Sequence, residues 1–258
     1  MTARHADPNP GGVLKRAARL LPRPVQSLLR RARLVVSAHI DRELIARAYL
    51  RGDGIEIGAL DKPLQVPRHA RVRYLDRMPV RQLATHYAEV GAHRMIEPDI
   101  IDNGETLASL ADGTQDFVIA NHFLEHCQNP IGALINMLRV LKPGGILYFA
   151  IPDKRVTFDV DRPLTPIAHL VRDFEEGPEW SRRGHFEEWV LLVRKTAPGQ
   201  AEAEVRFLMD IDYSIHFHVW THETMLQTLV QLRDRLPAFE TELAVKTHDE
   251  SVFVLRKQ

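Results

Sequence analysis

Two neighbouring stretches decide the fold: the chain reads DFVIANHFLEH over residues 116–126 and LRVLKPGG over residues 138–145. Residues 117–120 are continuously apolar, which is typical of a strand that is covered on both faces of a sheet. Asn129 and Pro130 predict the start of a helix between the two stretches, because asparagine caps helices and proline is tolerated in their first turn. Residues 142–145 end that helix, and the apolar run at 146–151 predicts the next strand.

The same alternation of strand and helix extends in both directions. Short β-rich runs lie at 54–58, 72–76 and 99–102, a helix is predicted around 80–90, and a later helix and two strands are predicted at 221–236, 242–248 and 251–256. Alternating strands and helices form parallel sheets, whereas the last two strands lie too close in sequence to be parallel. The sequence therefore predicts an α/β fold with a doubly wound, seven-stranded, mostly parallel sheet and an antiparallel last strand.

Two parts of the chain depart from this alternation. Residues 1–50 hold ten basic and three acidic side chains, and they predict a basic N-terminal tail and helical arm. Residues 51–258 form the main domain, in which residues 153–219 contain four prolines and two tryptophans. We interpret that segment as a partly helical insertion after strand five that covers the site. The basic arm is a candidate for peripheral contact with a membrane or a protein.

The composition excludes several classes of protein. The 258 residues carry 34 basic and 34 acidic side chains, and 45% of them are hydrophobic, which excludes a disordered chain and a strongly basic nucleic-acid-binding protein. The single cysteine, Cys127, excludes an intrachain disulfide and a zinc site built on cysteines. No apolar run resembles a membrane span or a signal peptide, so we expect a cytoplasmic protein.

Acidic side chains recur at successive predicted strand ends. Glu56, Asp76 and Asp102 lie at or just inside the ends of the first three strands. The carboxyl ends of parallel strands meet at one edge of a sheet, and a carboxylate there can accept both hydroxyls of a ribose. Gly58 follows the first strand, where a missing side chain lets a ligand approach the backbone. Together these residues predict a nucleoside-binding site.

These motifs resemble those of the class I S-adenosylmethionine-dependent methyltransferases, in particular the type that acts on small molecules and glycans. The resemblance rests on residues 56–58, 74–76 and 102–105 and on the two stretches quoted above, and it covers about residues 52–152. It implies a Rossmann-like fold and S-adenosylmethionine as the cofactor. It also implies methyl transfer to an oxygen or nitrogen nucleophile of a small-molecule or sugar-containing substrate. One motif departs from the family, because Gly58 is followed by Ala59 and Leu60 instead of further glycines.

The resemblance also implies which residues hold the cofactor. The loop at Gly58 would lie against the methionine part, Asp76 would bind the ribose hydroxyls, and Asn121 would border the transferring methyl group. The residues after the third strand would flank the adenine. The candidate cofactor-binding residues are Glu56, Ile57, Gly58, Ala59, Asp76, Arg77, Asn103, Gly104, Glu105 and Asn121.

Methyl transfer to a hydroxyl or an amine also needs a group that removes a proton. The candidate catalytic residues are His122, Asp153, His185 and His218. His126, next to Glu125 at the start of a helix, can be explained as a structural residue. His216 and His218 would share a face of a strand, but the sequence identifies no third ligand beside them, so we expect no metal ion.

Three other functions compete with this interpretation. A nicotinamide-dependent reductase would need a Gly-x-Gly-x-x-Gly turn, which the chain lacks. The acidic main domain argues against nucleic-acid methylation, as does the sequence after strand four, which lacks the Asn/Asp-Pro-Pro-Tyr/Phe motif of that chemistry. We therefore expect no nucleic-acid partner. A non-catalytic binding protein with the methyltransferase fold remains an alternative, because the first motif keeps only one glycine.

Overall fold

Seven strands form the sheet at the centre of the computed structural model, which describes residues 41–87, 94–247 and 249–258. Their spatial order is β3-β2-β1-β4-β5-β7-β6. The strands are β1 (Gly52–Ile57), β2 (Ala70–Asp76), β3 (Ile100–Ile101), β4 (Gln115–Asn121), β5 (Leu141–Pro152), β6 (Phe239–Lys246) and β7 (Glu250–Lys257). The first five strands are parallel, and β7 is antiparallel to both of its neighbours. The predicted fold class is therefore confirmed.

Helices flank the sheet and fill the insertion. In the described part of the chain they are α1 (Arg42–Tyr49), α2 (Val80–His86), α3 (Pro130–Val140), α4 (Ile167–Glu176), α5 (Glu179–Glu188), α6 (Pro198–Asp210) and α7 (His222–Gln231). The side chain of Asn129 caps α3 by accepting a hydrogen bond from the Gly132 N–H at 2.9 Å. Thr221 caps α7 in the same way through the Thr224 N–H. Both helices begin where the capping residues predict.

The N-terminal arm is described only at its end. Residues 1–40 lie outside the described residues, so the basic tail and most of the arm stay a prediction. Asp41 caps α1, and Ile45 and Ala46 of this helix are buried in one core with Phe117 and Tyr148 of the sheet. Residues Asp41–Gln258 form one compact unit. No helix among the described residues is both long and apolar enough to cross a membrane.

The two faces of β4 explain its apolar sequence. Phe117 and Ile119 belong to the core on the α1 side, whereas Val118 and Ala120 belong to the core that contains α3 and α7. All four side chains are fully buried. Successive residues of a strand point to opposite faces, so a strand with helices on both sides must be apolar throughout.

β1 and β4 approach each other closely at Gly54. A Cβ atom at this position would lie 2.3 Å from the carbonyl oxygen of Phe117 and 2.4 Å from its ring. The sheet therefore has no room for any side chain at residue 54.

We expect Gly54→Ala to destabilise the protein by about 1–3 kcal/mol, because overpacking a rigid core forces the strands apart. Urea denaturation measures this free energy of unfolding. Gly184→Ala is the control, because Gly184 is exposed on α5 and a Cβ there would meet nothing within 4 Å. Equal stability of Gly54→Ala and the wild type would contradict the close approach.

Candidate functional site

A pocket opens at the carboxyl ends of the parallel strands. Its sheet side is formed by Gly58 after β1, Asp76 at the end of β2, Asn103 after β3 and His122 after β4. The space encloses about 1010 Å³ when its open mouth is included. Ligands of α/β sheets bind at this edge.

The insertion supplies the opposite wall. Residues 212–214 and Phe217 line the pocket across from the strand ends. Asp212 accepts hydrogen bonds from Arg77 at 3.2 Å and from Arg182 of α5 at 2.9 Å. The bond from Arg77 links the end of β2 to the insertion. The part of the insertion around residues 212–217 therefore lies over the site.

Most candidate cofactor residues meet in this pocket, and three do not. Those that line it are Ile57, Gly58, Asp76, Arg77, Asn103, Gly104 and Glu105. Glu56 is buried beneath the site, where its carboxylate accepts the Leu64 N–H at 3.0 and 3.1 Å, and burial raises its pKa to about 7. Ala59 and Asn121 are also absent from the lining. The prediction that Glu56 contacts the cofactor is therefore corrected: its carboxylate holds the following loop.

The first motif adopts an unusual backbone. Gly58 has φ +65° and Leu60 has φ +47°, a left-handed conformation that favours glycine. Leu60 therefore adopts this conformation at a cost on the order of 1–2 kcal/mol, which a glycine at the same position would avoid. Gly104 is required for a different reason. A Cβ at this position would lie 2.6 Å from both Ile57 and Phe123, so there is no room for a side chain.

Glu105 lines the pocket but has structural partners. Its two carboxylate oxygens accept the N–H groups of Gln128 and Asn129 at 3.0 and 2.9 Å, which fixes the turn before α3. The Asn103 side chain accepts the Glu105 N–H at 2.8 Å and so orders the loop after β3. Asn103 and Gly104 remain the candidates for contact with an adenine.

The chemistry of the pocket fits S-adenosylmethionine. Asp76 offers a carboxylate, half-buried at the end of β2, for the ribose hydroxyls. Gly58 and Gly104 present backbone without side chains. Behind them, the Asn121 amide is buried, and neither its oxygen nor its nitrogen has a hydrogen-bond partner in the described residues.

His122 lines the pocket as a cation. Its Nε2 lies 2.7 Å from Glu250, and its Nδ1 lies 3.4 Å from Glu125. Burial alone would lower the pKa of His122, but these two carboxylates outweigh it and raise the pKa to about 9. Arg42 pairs with the same Glu250. An imidazole that is already protonated at neutral pH cannot remove a proton, so the prediction that His122 is a catalytic base is corrected.

The other three candidate bases do not line the pocket. Asp153 is buried and paired with Arg155 at 2.6 Å and with Lys246 at 3.1 Å, and these cations hold its pKa far below the usual range. His185 and His218 are 8% and 1% exposed, and burial lowers the pKa of both. Side chains that a substrate cannot reach are not substrate-side bases.

The His216–His218 pair is also arranged differently from the expectation. Residues 213–220 are not a strand, and the two rings belong to different clusters. His216 Nδ1 lies 2.6 Å from Asp159, whereas His218 Nε2 lies 3.6 Å from Asp173.

His126 is the histidine that the sequence analysis underestimated. It lines the pocket, and its Nδ1 lies 2.9 Å from the Ile215 carbonyl. Burial and the neighbouring His216 lower its pKa to about 4, so the ring is neutral at physiological pH. The sequence did contain a signal that His126 lies at the site, because residues 124–126 follow the carboxyl end of β4.

Backbone and buried charge hold the insertion wall in place. The Glu125 carbonyl accepts the N–H groups of Phe217 at 2.7 Å and His218 at 3.2 Å. The guanidinium of Arg162, 1% exposed, donates to Glu188 at 2.6 Å and to the His216 carbonyl at 2.7 Å. These contacts place residues 214–217 against the motif after β4.

We expect the stabilising effect of His122 to depend on pH. Its folded pKa of about 9 lies above the usual histidine pKa of 6.5, so the stabilisation is complete below pH 6.5 and is lost as the pH rises through 9. The unfolding free energy of wild type minus that of His122→Gln should fall by about 1 kcal/mol across this range, a value reduced for the partial exposure of the ring.

Urea denaturation at a series of pH values measures this difference. The matched control is His69→Gln, on an exposed loop, which should follow the wild-type profile. A His122→Gln difference that stays constant with pH would contradict the ion pair.

Comparison with known proteins gives one domain match and several partial relatives. The family profile described as "Methyltransferase domain" matches residues 54–149. The thiol S-methyltransferase TMT1B of Homo sapiens is 34% identical over 84 residues, which are 32% of this chain and 34% of that protein. The protein of the same name from Rattus norvegicus is 40% identical over 57 residues, 22% and 23% of the two chains. The chain therefore spans about a third or less of these curated relatives.

Solved structures are similar at low identity. An S-adenosylmethionine-dependent methyltransferase from Aquifex aeolicus is 12% identical, with a TM-score of 0.44, over 83% of this chain and 87% of that chain. One from Methanosarcina mazei is 14% identical, with a TM-score of 0.42, over 86% and 96% of the two chains.

The domain match covers β1 to β5 almost completely, and the carboxyl ends of β1 to β4 form the pocket. The motifs that carry the resemblance all lie within or beside it. Residues 54–149 thus belong to a methyltransferase domain of the class I, S-adenosylmethionine-dependent family, whose cofactor is S-adenosylmethionine.

Proposed function

We propose that this protein transfers the methyl group of S-adenosylmethionine to an oxygen or nitrogen nucleophile of a small-molecule or sugar-containing acceptor. The observation that carries the proposal is the pocket itself. It joins the family's motif residues at the ends of β1 to β4 with a wall from the insertion.

The sheet side of the pocket is suited to the cofactor. Asp76 would accept the ribose hydroxyls, and Asn103 and Gly104 would border the adenine. Gly58 would lie against the methionine part. His122 lines the same wall, and its ion pairs with Glu125 and Glu250 keep the imidazole protonated.

The insertion side is suited to a polar acceptor. Asp212, Tyr213 and Ser214 bring hydrogen-bonding groups to the pocket, and Phe217 adds an apolar surface. Such a mixture orients a small polar molecule while excluding water. The bound cofactor supplies an electrophilic methyl group on a sulfonium, and the chain's residues align the acceptor with it.

His126 is our candidate for the proton acceptor. It is the neutral histidine of the pocket, and its Nδ1 is positioned to donate to the Ile215 carbonyl. That bond would leave Nε2 unprotonated, with a lone pair that can accept a proton. The low pKa of about 4 makes it a weak base, which is sufficient only for an acceptor that loses its proton as the new bond forms.

A thiol acceptor is the second candidate. The human and rat relatives are named thiol S-methyltransferases, although the match covers a third or less of each. A thiol, with a pKa of about 8.5, ionises without a strong base. The weak basicity of His126 is therefore compatible with sulfur as the nucleophile.

We expect S-adenosylhomocysteine to bind the wild type and Asp76→Ala to bind it at least tenfold more weakly, about 1.4 kcal/mol. Isothermal titration calorimetry measures both affinities. Asp53→Ala is the control, because Asp53 is an exposed acid at the opposite, amino end of β1. Equal affinity of Asp76→Ala and the wild type would place the ribose elsewhere.

We expect the wild type to release S-adenosylhomocysteine when S-adenosylmethionine is incubated with sugar hydroxyl or amine acceptors. His126→Gln should lower kcat about 100-fold and leave the affinity for S-adenosylhomocysteine within twofold. His69→Gln should change neither quantity. Turnover with thiols alone would favour the second candidate, and binding without any turnover would favour a non-catalytic protein.

A further inference from the structure

Four side chains in the insertion converge behind the pocket wall. They are His169 and Asp173 of α4, His185 of α5 and His218 of the segment before α7. One possible ligand atom from each residue lies within 4.8 Å of all the others. None of the four lines the cofactor pocket. We propose that they bind a zinc ion that joins three segments of the insertion.

Three of the six distances between the ligand atoms are close to those of a tetrahedral site. His169 Nε2 lies 3.0 Å from His185 Nε2 and 3.2 Å from Asp173 Oδ2, and His218 Nε2 lies 3.6 Å from the same oxygen. A tetrahedral zinc ion with bonds of 2.0–2.1 Å separates its ligand atoms by about 3.3–3.4 Å. Small adjustments of these side chains would close the site around one ion.

The burial of Asp173 calls for a positive charge. Its side chain is fully buried, and Oδ2 has no hydrogen-bond partner in the described residues. Oδ1 accepts the hydroxyl of Ser181 at 2.8 Å, which orients the carboxylate toward the histidines. A buried carboxylate with an unsatisfied oxygen is destabilising, whereas coordination of a metal compensates its charge.

The facing nitrogens of His169 and His185 also support a metal site. Two Nε2 atoms at 3.0 Å cannot both carry a proton without repulsion. In a metal site both would present lone pairs to the ion, and neutral imidazole is the form that burial favours. His169 and Asp173 are four residues apart, which puts both on one face of α4.

The ligand set identifies the metal and its role. Three imidazole nitrogens and one carboxylate oxygen in tetrahedral spacing suit zinc, and octahedral oxygen-binding cations need more oxygen ligands. Four protein ligands close the coordination sphere, which is the arrangement of a structural site. The ion would fix α4 and α5 to the segment that carries Phe217, a pocket residue.

Metal analysis of the purified full chain tests the proposal. We expect about one zinc per chain after dialysis against zinc chloride and removal of excess metal. Chelation should lower the melting temperature by about 5–10 °C, and zinc should restore it. Cobalt substituted for zinc should give the strong visible absorption of tetrahedral coordination, a measurement that needs no variant.

Matched variants separate this site from other metal-binding groups. Asp173→Asn and His169→Ala should lose the bound zinc and the response of the melting temperature to chelation. His69→Ala, in an exposed loop, should keep both. A wild type that binds less than a tenth of an equivalent and melts at the same temperature with and without zinc would overturn the proposal. The four groups would then form a hydrogen-bonded network only.

Discussion

The buried guanidinium of Arg162 is the constraint on which the acceptor side of this protein depends. A charge that is 1% exposed is tolerated only when its donors are satisfied. Here they are satisfied by Asp159 at the start of the insertion, Glu188 at the end of α5 and the His216 carbonyl near its end. Three distant pieces of chain must therefore meet around one side chain. The insertion's own apolar core forms in that arrangement, from Phe186, Trp189, Val190, Val205, Leu208, Ile215 and Phe217.

The two walls of the pocket have different physical origins. The sheet wall follows from parallel pairing, because the loops that hold Gly58, Asp76 and Asn103 all leave the same edge. The insertion wall is held against that edge by the Glu125 carbonyl, which accepts two N–H groups from residues 217 and 218, and by Arg77, which donates to Asp212. The Leu-Glu-His motif after β4 therefore joins the walls, and its His126 lies between them.

Much of the sheet side could be predicted from sequence, because strand periodicity and capping are local. Asn129 and Thr221 predicted the starts of α3 and α7, because each side chain caps its helix by accepting a hydrogen bond from the backbone N–H three residues later. The candidate bases could not be judged in this way. His122 is protonated because Glu125, three residues away, acts together with Glu250, 128 residues further along the chain, and Arg42 reaches that second carboxylate across 208 residues. No local pattern reports such partners.

The sequence by itself determined the α/β fold, the family motifs and the strand ends that carry Gly58, Asp76 and Asn103, because these features depend on residues close together in the chain. The tertiary structure alone decided the charge of His122, the neutrality of His126 and the meeting of His169 and Asp173 with His185 and His218. Burial and electrostatic pairing depend on distance in space, which only the folded chain fixes.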